Sequence, residues 1–421
     1  DSVAFYVSGQ LLTEDYYVAN KLMKGFIGSG NIDTNSRLCM ASAVAAHNRA
    51  FGEDVVPCNY EDLDAADLIL LVGSNTAWCH PVVWQRIEKA RQRRGTKIVV
   101  IDPRRTETAE QADLHIAVPP DGDVALFNAL LGEMHRRGLT NAGYMQDHVE
   151  VPGGFLAGLA GADPGVPARD FAALAAMVAE YPRMVTLFSQ GANQSVSGTD
   201  KGNAIINLHL ATGRINRIGA GPFSITGQPN AMGGREVGGL ANMLACHLGF
   251  SEQERADVAA FWNTDRLCEG PGLKAVDMFR AVHDGRIKFL WGMATNPAVS
   301  MPDSGFVREA LAQCETLVVS DVIADTDTGR LAHVRLPALA WGEKTGTVTN
   351  SERRISMQHA LFPPPGEARA DWDIMCDVAR RLGHGDAFAF DGPAAIFREF
   401  AAMTQLAVDH GKALDLTAHA R

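Results

Sequence analysis

Short, almost unbroken apolar runs recur along this 421-residue chain, each leading into a glycine or polar turn and then a helical stretch. They are Leu68–Val72, Lys97–Ile101, Leu114–Val118, Met184–Phe188, Ile287–Trp291 and Thr316–Val319, with Val3–Val7 opening the chain. A strand with one wet face alternates apolar and polar residues. A strand that is apolar throughout must be covered on both faces, as in a parallel sheet flanked by helices. The expected fold is therefore α/β, with two doubly wound, Rossmann-like parallel-sheet units. One holds the strands ending at Gly73, Asp102, Pro119 and Gln190; the other holds those ending at Gly292 and Ser320. Such sheets bind ligands beyond the carboxyl ends of their strands, so the residues just after each run are the first candidates for a site. From about residue 334 the pattern changes. Val334–Pro337 and Trp341–Arg354 read as β structure with tight turns, Pro363-Pro364-Pro365 breaks the chain, and Asp371–Leu382 begins a helical tail.

Charge and cysteine usage narrow the function. A formal net charge of −11 argues against a nucleic-acid partner, which needs a concentrated basic face. The densest basic stretch, Arg86 to Lys97, alternates with Val83, Ile87 and Ala90 at helical spacing and reads as a solvated helix face. Seven cysteines form no C-x-x-C pair and no cluster with histidine. That set suits a reducing, cytoplasmic compartment and offers no iron–sulfur site. No apolar run reaches membrane-spanning length. The motifs of zinc proteases, serine hydrolases and ordinary dinucleotide or nucleotide-triphosphate sites are missing as well.

Cys39 has the most suggestive setting. Gly28-Ser29-Gly30-Asn31 runs into Asp33, Thr34, Asn35 and Ser36, which are good helix N-cap residues, and a helical pattern then continues to about Gly52. A cysteine in a first helical turn meets unpaired amides and the helix dipole, which favour a thiolate that can act as nucleophile or soft metal ligand. A second notable stretch, Thr226–Gly239, carries Gly227, Gly233, Gly234, Gly238 and Gly239 around one cation, Arg235. Glycines at that density let backbone approach a ligand closely, and a guanidinium suits a planar oxyanion. A helix-start charge or a surface pair with Glu236 is the plain alternative for Arg235.

Taken together, the segments Asn35–Val44, Asn59–Leu63, Leu71–Pro81, Ile101–Thr106 and Thr226–Gly239 resemble the bacterial nitrate reductases of the dimethyl sulfoxide reductase superfamily, the assimilatory branch most closely. The resemblance implies molybdenum held by two molybdopterin guanine dinucleotides and by the thiolate of Cys39, with Met40 shaping the pocket and Arg235 orienting the anion. It implies one nucleotide on Gly73, Ser74, Asn75, His80, Asp102, Arg104, Gly122, Asp123 and Gly191. The other would lie on Gly292, Asn296, Ser320 and Asp321, and Gln228 is implied as a further cofactor contact. Physically, strand-end glycines admit phosphates, and the aspartates one strand later can accept from guanine or ribose. The implied reaction is reduction of nitrate to nitrite, with electrons from an external donor such as ferredoxin, flavodoxin or an NADH-linked reductase subunit. The implied layout gives residues 1–35 and 236–335 to one α/β unit. Residues 36–235 form an inserted unit bearing Cys39, and 336–421 form a β segment and helical tail. An iron–sulfur cluster and a closing barrel domain are expected only in regions outside this sequence. A formate dehydrogenase is the near alternative, disfavoured because Met rather than His follows Cys39; a scaffold subunit without molybdenum is the distant one.

Overall fold

The computed structural model describes residues 2–421. Its strands are β1 (Val3–Val7), β2 (Ile32–Thr34), β3 (Leu68–Val72), β4 (Lys97–Ile101), β5 (Leu114–Ile116) and β6 (Met184–Phe188). They continue as β7 (Gly221–Ser224), β8 (Phe289–Met293), β9 (Thr316–Asp321), β10 (Val334–Pro337), β11 (Gly346–Thr349) and β12 (Ile355–Gln358). The chain divides into two compact units: Cys39–Gly227, here the inner unit, and the residues up to Leu38 with Gln228–Arg421, the outer unit. Arg235 and Gln228 thus fall in the outer unit. Residues 336–421, read from sequence as a separate tail, belong to it too.

Both units are built on a five-stranded sheet in which every pairing is parallel. The inner order is β5-β4-β3-β6-β7 and the outer order is β10-β9-β8-β1-β2. These orders superpose strand for strand: β3 corresponds to β8, β4 to β9, β5 to β10, β6 to β1 and β7 to β2. The apolar runs dictate this. All five residues of β3 and all five of β6 are buried, so each must be covered by helices on both faces. In the inner unit Leu68, Leu70 and Val72 pack against Phe127, Leu130 and Leu174, while Ile69 and Leu71 face a second cluster with Trp84, Ile87 and Phe223. The helix Pro81–Arg94 buries Trp84, Ile87 and Ala90 and turns its basic residues outward to Asp64, Asp67 and Asp113, as its spacing requires.

One strand differs from the sequence reading. It was expected at Ile287–Trp291, with Gly292 as the turn residue. Instead β8 runs through Gly292, which pairs with Tyr6 and Val319, and the chain turns at Ala294 with φ 53°. Ile287 is buried outside the strand, which is why the apolar pattern begins too early. Gly292 is therefore not a strand-end glycine; Ala294 takes the left-handed position that Gly73 (φ 54°) takes after β3.

The C-terminal part of the outer unit is tied down by a buried ionic triad. Lys344 Nζ lies 3.0 Å from Asp15 Oδ2 and 3.1 Å from Asp371 Oδ2, and all three side chains are almost wholly inaccessible. Burial pushes the Asp371 carboxyl up to about 6, against the pull of the Lys344 ammonium beside it. Removing the cation strands two buried carboxylates. Lys344→Met should therefore destabilise the chain by about 3–5 kcal/mol, read as a lowered urea midpoint. A change within about 0.5 kcal/mol, the range for surface substitutions, would show that the triad carries no structural weight.

Candidate ligand sites at the sheet switch points

In a doubly wound sheet the connections leave in opposite directions from two neighbouring strands, and the crevice between their carboxyl ends is the ordinary ligand site. In the inner unit those strands are β3 and β6. Their loops meet backbone to backbone: the Gly191 amide donates to the Gly73 carbonyl at 2.9 Å. A Cβ on Gly191 would lie 2.7 Å from Gly73 Cα, and one on Gly73 would lie 2.6 Å from Ala192 N. Each glycine is thus required first by the other.

Cys39 is brought to this point. The helix Arg37–Phe51 that carries it is interrupted at Met40 (φ −130°, ψ 17°), so Cys39 precedes the continuous part of the helix. Its Sγ lies 2.8 Å from Gln190 Nε2, two residues after β6. Met40 is buried in the inner core. The remaining cysteines differ: Cys79 is exposed, while Cys58, Cys246, Cys268, Cys314 and Cys376 are buried. Burial raises the thiol pKa of each of those five, Cys376 to about 12, which makes them inert.

Around that point the other expected residues take definite roles. Asn75 Oδ1 accepts from Thr108 Oγ1 at 2.8 Å, and the same hydroxyl accepts from the Ala77 amide at 3.0 Å. Ser74 Oγ meets Thr76 Oγ1 at 2.9 Å. His80 Nε2 meets the Thr226 carbonyl at 3.0 Å, and burial lowers its pKa. A neutral ring donating from Nε2 leaves Nδ1, buried and without a protein partner, as an acceptor. Asp102 Oδ1 caps the Arg104 amide at 2.9 Å, while the Arg104 side chain is exposed. Gly122 precedes the helix Asp123–Arg136, where a Cβ would come within 2.9 Å of Val118 Cγ2. Asp123 Oδ2 is engaged by Lys201 Nζ at 3.0 Å, and Lys201 also reaches Asp121 Oδ1 at 2.9 Å. Sequence reading missed Lys201; a buried cation in a helix gives no local signal of its partners.

In the outer unit the strands in question are β8 and β1. The loops after them are joined through Asn35, whose Oδ1 accepts from the Gly9 amide at 3.0 Å and from Gln228 Nε2 at 3.1 Å. Asn35 Nδ2 reaches Thr295 Oγ1 at 3.3 Å, and Ser36 Oγ donates to Gln228 Oε1 at 2.7 Å. Gln228 is thus at the switch point, together with Gly9, Thr295 and Asn35, which the sequence marks only as a helix N-cap candidate. Asn296 repeats the role of Asn75. Its Oδ1 accepts from Thr328 Oγ1 at 2.7 Å, and that hydroxyl accepts from the Ala298 amide at 3.1 Å. Ser320 Oγ is taken by Trp291 Nε1 at 2.6 Å. Asp321 Oδ1 accepts from the Val322 amide at 2.7 Å, and burial raises its carboxyl pKa.

Arg235 sits in the helix Ala231–Val237, 5% exposed, with Nη2 against Met232 Sδ. Its neighbour Glu236 is also buried and is held by Thr349 Oγ1 at 3.0 Å and Arg353 Nε at 3.7 Å, so a surface pair is excluded. The loop after this helix is fixed by Lys24, whose Nζ donates to the carbonyls of Gly238 at 2.6 Å and Leu240 at 3.0 Å. Among the described residues no group of three or more His, Cys, Asp or Glu side chains could hold a metal ion. No helix of theirs is long and apolar enough to cross a membrane.

Two parallel-sheet units, each with polar side chains gathered at its switch point and an asparagine–threonine clamp beside it, define a doubly wound α/β protein of the kind that takes its ligands at that edge. The chain belongs to the molybdopterin oxidoreductase family, whose model matches residues 1–381. It is 54% identical over 418 residues to a nitrate reductase of Klebsiella oxytoca, covering 99% of this chain and 48% of that protein. It is 51% identical over 417 residues to a nitrate reductase of Shewanella frigidimarina, covering 96% of this chain and 44% of that protein. The chain thus spans about half the length of these curated relatives. Among solved structures, acetylene hydratase from Pelobacter acetylenicus shares the fold, with a TM-score of 0.68 at 18% identity over 99% of this chain and 59% of that one.

The clamp gives a direct test. Thr328→Val deletes the hydroxyl that serves Asn296 and the Ala298 amide, and Thr108→Val does the same for Asn75 and Ala77. Each should cost about 1–3 kcal/mol, the price of leaving buried partners unpaired, measured by urea unfolding. Variants as stable as the parent would show that these bonds do not hold the loops.

Proposed function

We propose that the protein carrying this chain reduces nitrate to nitrite at a molybdenum centre held by two molybdopterin guanine dinucleotides. The observation that carries the reading is Cys39: the cysteine in the resembling segment stands at the inner switch point, beside Gln190 and the Gly73–Gly191 contact. The residues fit the group. One thiolate suits a soft metal whose remaining ligands come from the cofactor's own sulfurs. Gln190 Oε1 and both amide atoms of Asn193, all within the turn Gln190–Asn193, are buried with no protein partner. Buried polar atoms in that state call for a bound partner.

When bound, the centre would supply oxygen-atom transfer and two-electron chemistry. The chain's own residues hold and orient. Gly73, Ser74, Asn75, His80, Asp102, Arg104, Gly122, Asp123 and Gly191 are assigned to one nucleotide. His80 Nδ1 would be available to it as an acceptor, and the Gly73 and Gly191 loops, free of side chains, would admit its phosphates. Gln228, Asn296, Ser320 and Asp321 are assigned to the other, with Ala294 replacing Gly292 at the turn. Cys39 supplies the protein's sulfur ligand and Met40 walls its side. Arg235 is assigned to the nitrate anion, which its planar fork can orient. Electrons are assigned to an external donor, and the iron–sulfur relay to regions outside this sequence.

In the full-length protein, Cys39→Ala should abolish nitrate reduction with the urea midpoint little changed. Arg235→Lys should keep molybdenum content and lower kcat/KM for nitrate at least tenfold, a loss of about 1.4 kcal/mol in transition-state binding. Normal turnover in Cys39→Ala contradicts the ligand assignment. Unchanged kinetics in Arg235→Lys at full metal content removes Arg235 from the substrate site.

A further inference from the structure

Gln190 touches the Cys39 sulfur, and the assignments above give the N–H edge of its amide no role. Its Nε2 is 2.8 Å from Sγ. The residue lies two positions after β6, in a turn held by backbone bonds: the Gln194 amide to the Gln190 carbonyl at 2.8 Å, the Ala192 amide to the Ser189 carbonyl at 3.1 Å, and the Gly191 amide to the Gly73 carbonyl at 2.9 Å. The backbone of Gln190 therefore has little freedom, and the amide is presented from a rigid base. The other end of the same amide, Oε1, is buried and has no protein partner.

The chemistry of sulfur decides what the amide does. A thiolate accepts hydrogen bonds and donates none, so only the N–H edge of the amide can face it; the carbonyl edge would meet it with like partial charge. We infer that Gln190 is a positioning residue whose N–H···S hydrogen bond fixes the Cys39 sulfur and draws charge from it, setting the potential of the metal that the sulfur ligates. This rests on the reading of Cys39 as a metal ligand. Groups that orient a metal's ligands tune its affinity, and hydrogen bonds to ligating sulfurs tune its reduction potential. Drawing electron density from the sulfur weakens its donation to the metal and favours the reduced state. Loss of the bond therefore lowers the midpoint potential.

The test uses the full-length, molybdenum-loaded protein and three variants. Gln190→Leu keeps the approximate shape without a donor. Gln190→Glu keeps the shape and replaces the donor by a carboxylate. Cys39→Ser controls for the underlying reading. Molybdenum content, the Mo(V) electron paramagnetic resonance spectrum and the midpoint of the Mo(VI)/Mo(V) couple are measured on each. The expected result is a lower midpoint in Gln190→Leu and a further fall in Gln190→Glu, with an altered Mo(V) spectrum in both. An unmoved or raised midpoint in Gln190→Leu at full metal content overturns the inference. So does loss of molybdenum from both Gln190 variants, which would make the residue a brace for the turn. If Cys39→Ser leaves the Mo(V) spectrum as in the parent, the ligand reading itself fails. If Cys39→Ser alters that spectrum while the Gln190 variants do not, only the role of Gln190 falls.

Discussion

Everything at the two candidate sites depends on a constraint of parallel sheets: strands running the same way deliver all their following loops to one edge. In the inner unit β3 and β6 are neighbours whose connections diverge, so their loops must meet over the strand ends. They can meet only because Gly73 and Gly191 have no side chains, since a Cβ on either would sit within 2.7 Å of the other's loop backbone. That contact places Gln190 where it reaches Cys39. Without it the Cys39 sulfur would lose its contact with Gln190.

The outer unit answers the same constraint with different residues. Ala294 takes the left-handed turn that Gly73 takes, although that conformation costs an alanine about 1 kcal/mol that a glycine does not lose. Side chains rather than backbone join the loops, through Asn35, Gln228 and Thr295. Yet the clamp beside the crevice is the same in both: an asparagine one turn past the strand, held by a threonine hydroxyl that also caps an amide two residues on. Matching strand orders and matching clamps support descent of both units from one duplicated sheet.

Much of this was legible in the sequence, and the exceptions have physical causes. The strands β3, β4 and β6 stand out because they are buried on both faces and hence apolar at nearly every position. The short edge strands β2 and β7 do not: Ile-Asp-Thr and Gly-Pro-Phe-Ser carry polar or turn-forming residues and have no periodicity to read. The displacement of β8 by two residues arose because Ile287 is buried in a loop, and apolarity alone does not distinguish the two settings. The interruption at Met40 was invisible, since nothing in Leu-Cys-Met-Ala breaks a helix locally. Around the strand ends, sequence picks out the residues that follow each strand but not the side chains that meet them. Thr108, Thr328, Lys201 and Asn35 lie far along the chain from Asn75, Asn296, Asp123 and Gln228. Only the fold reveals which side chain returns to them.

The central claim of the proposed function is that each unit holds one guanine nucleotide. The most direct measurement is the amount of guanosine monophosphate released by acid hydrolysis of the purified, full-length protein, relative to its molybdenum. The account predicts two equivalents per metal. A ratio of one would leave one of the switch points without its nucleotide, and a ratio of zero would contradict both.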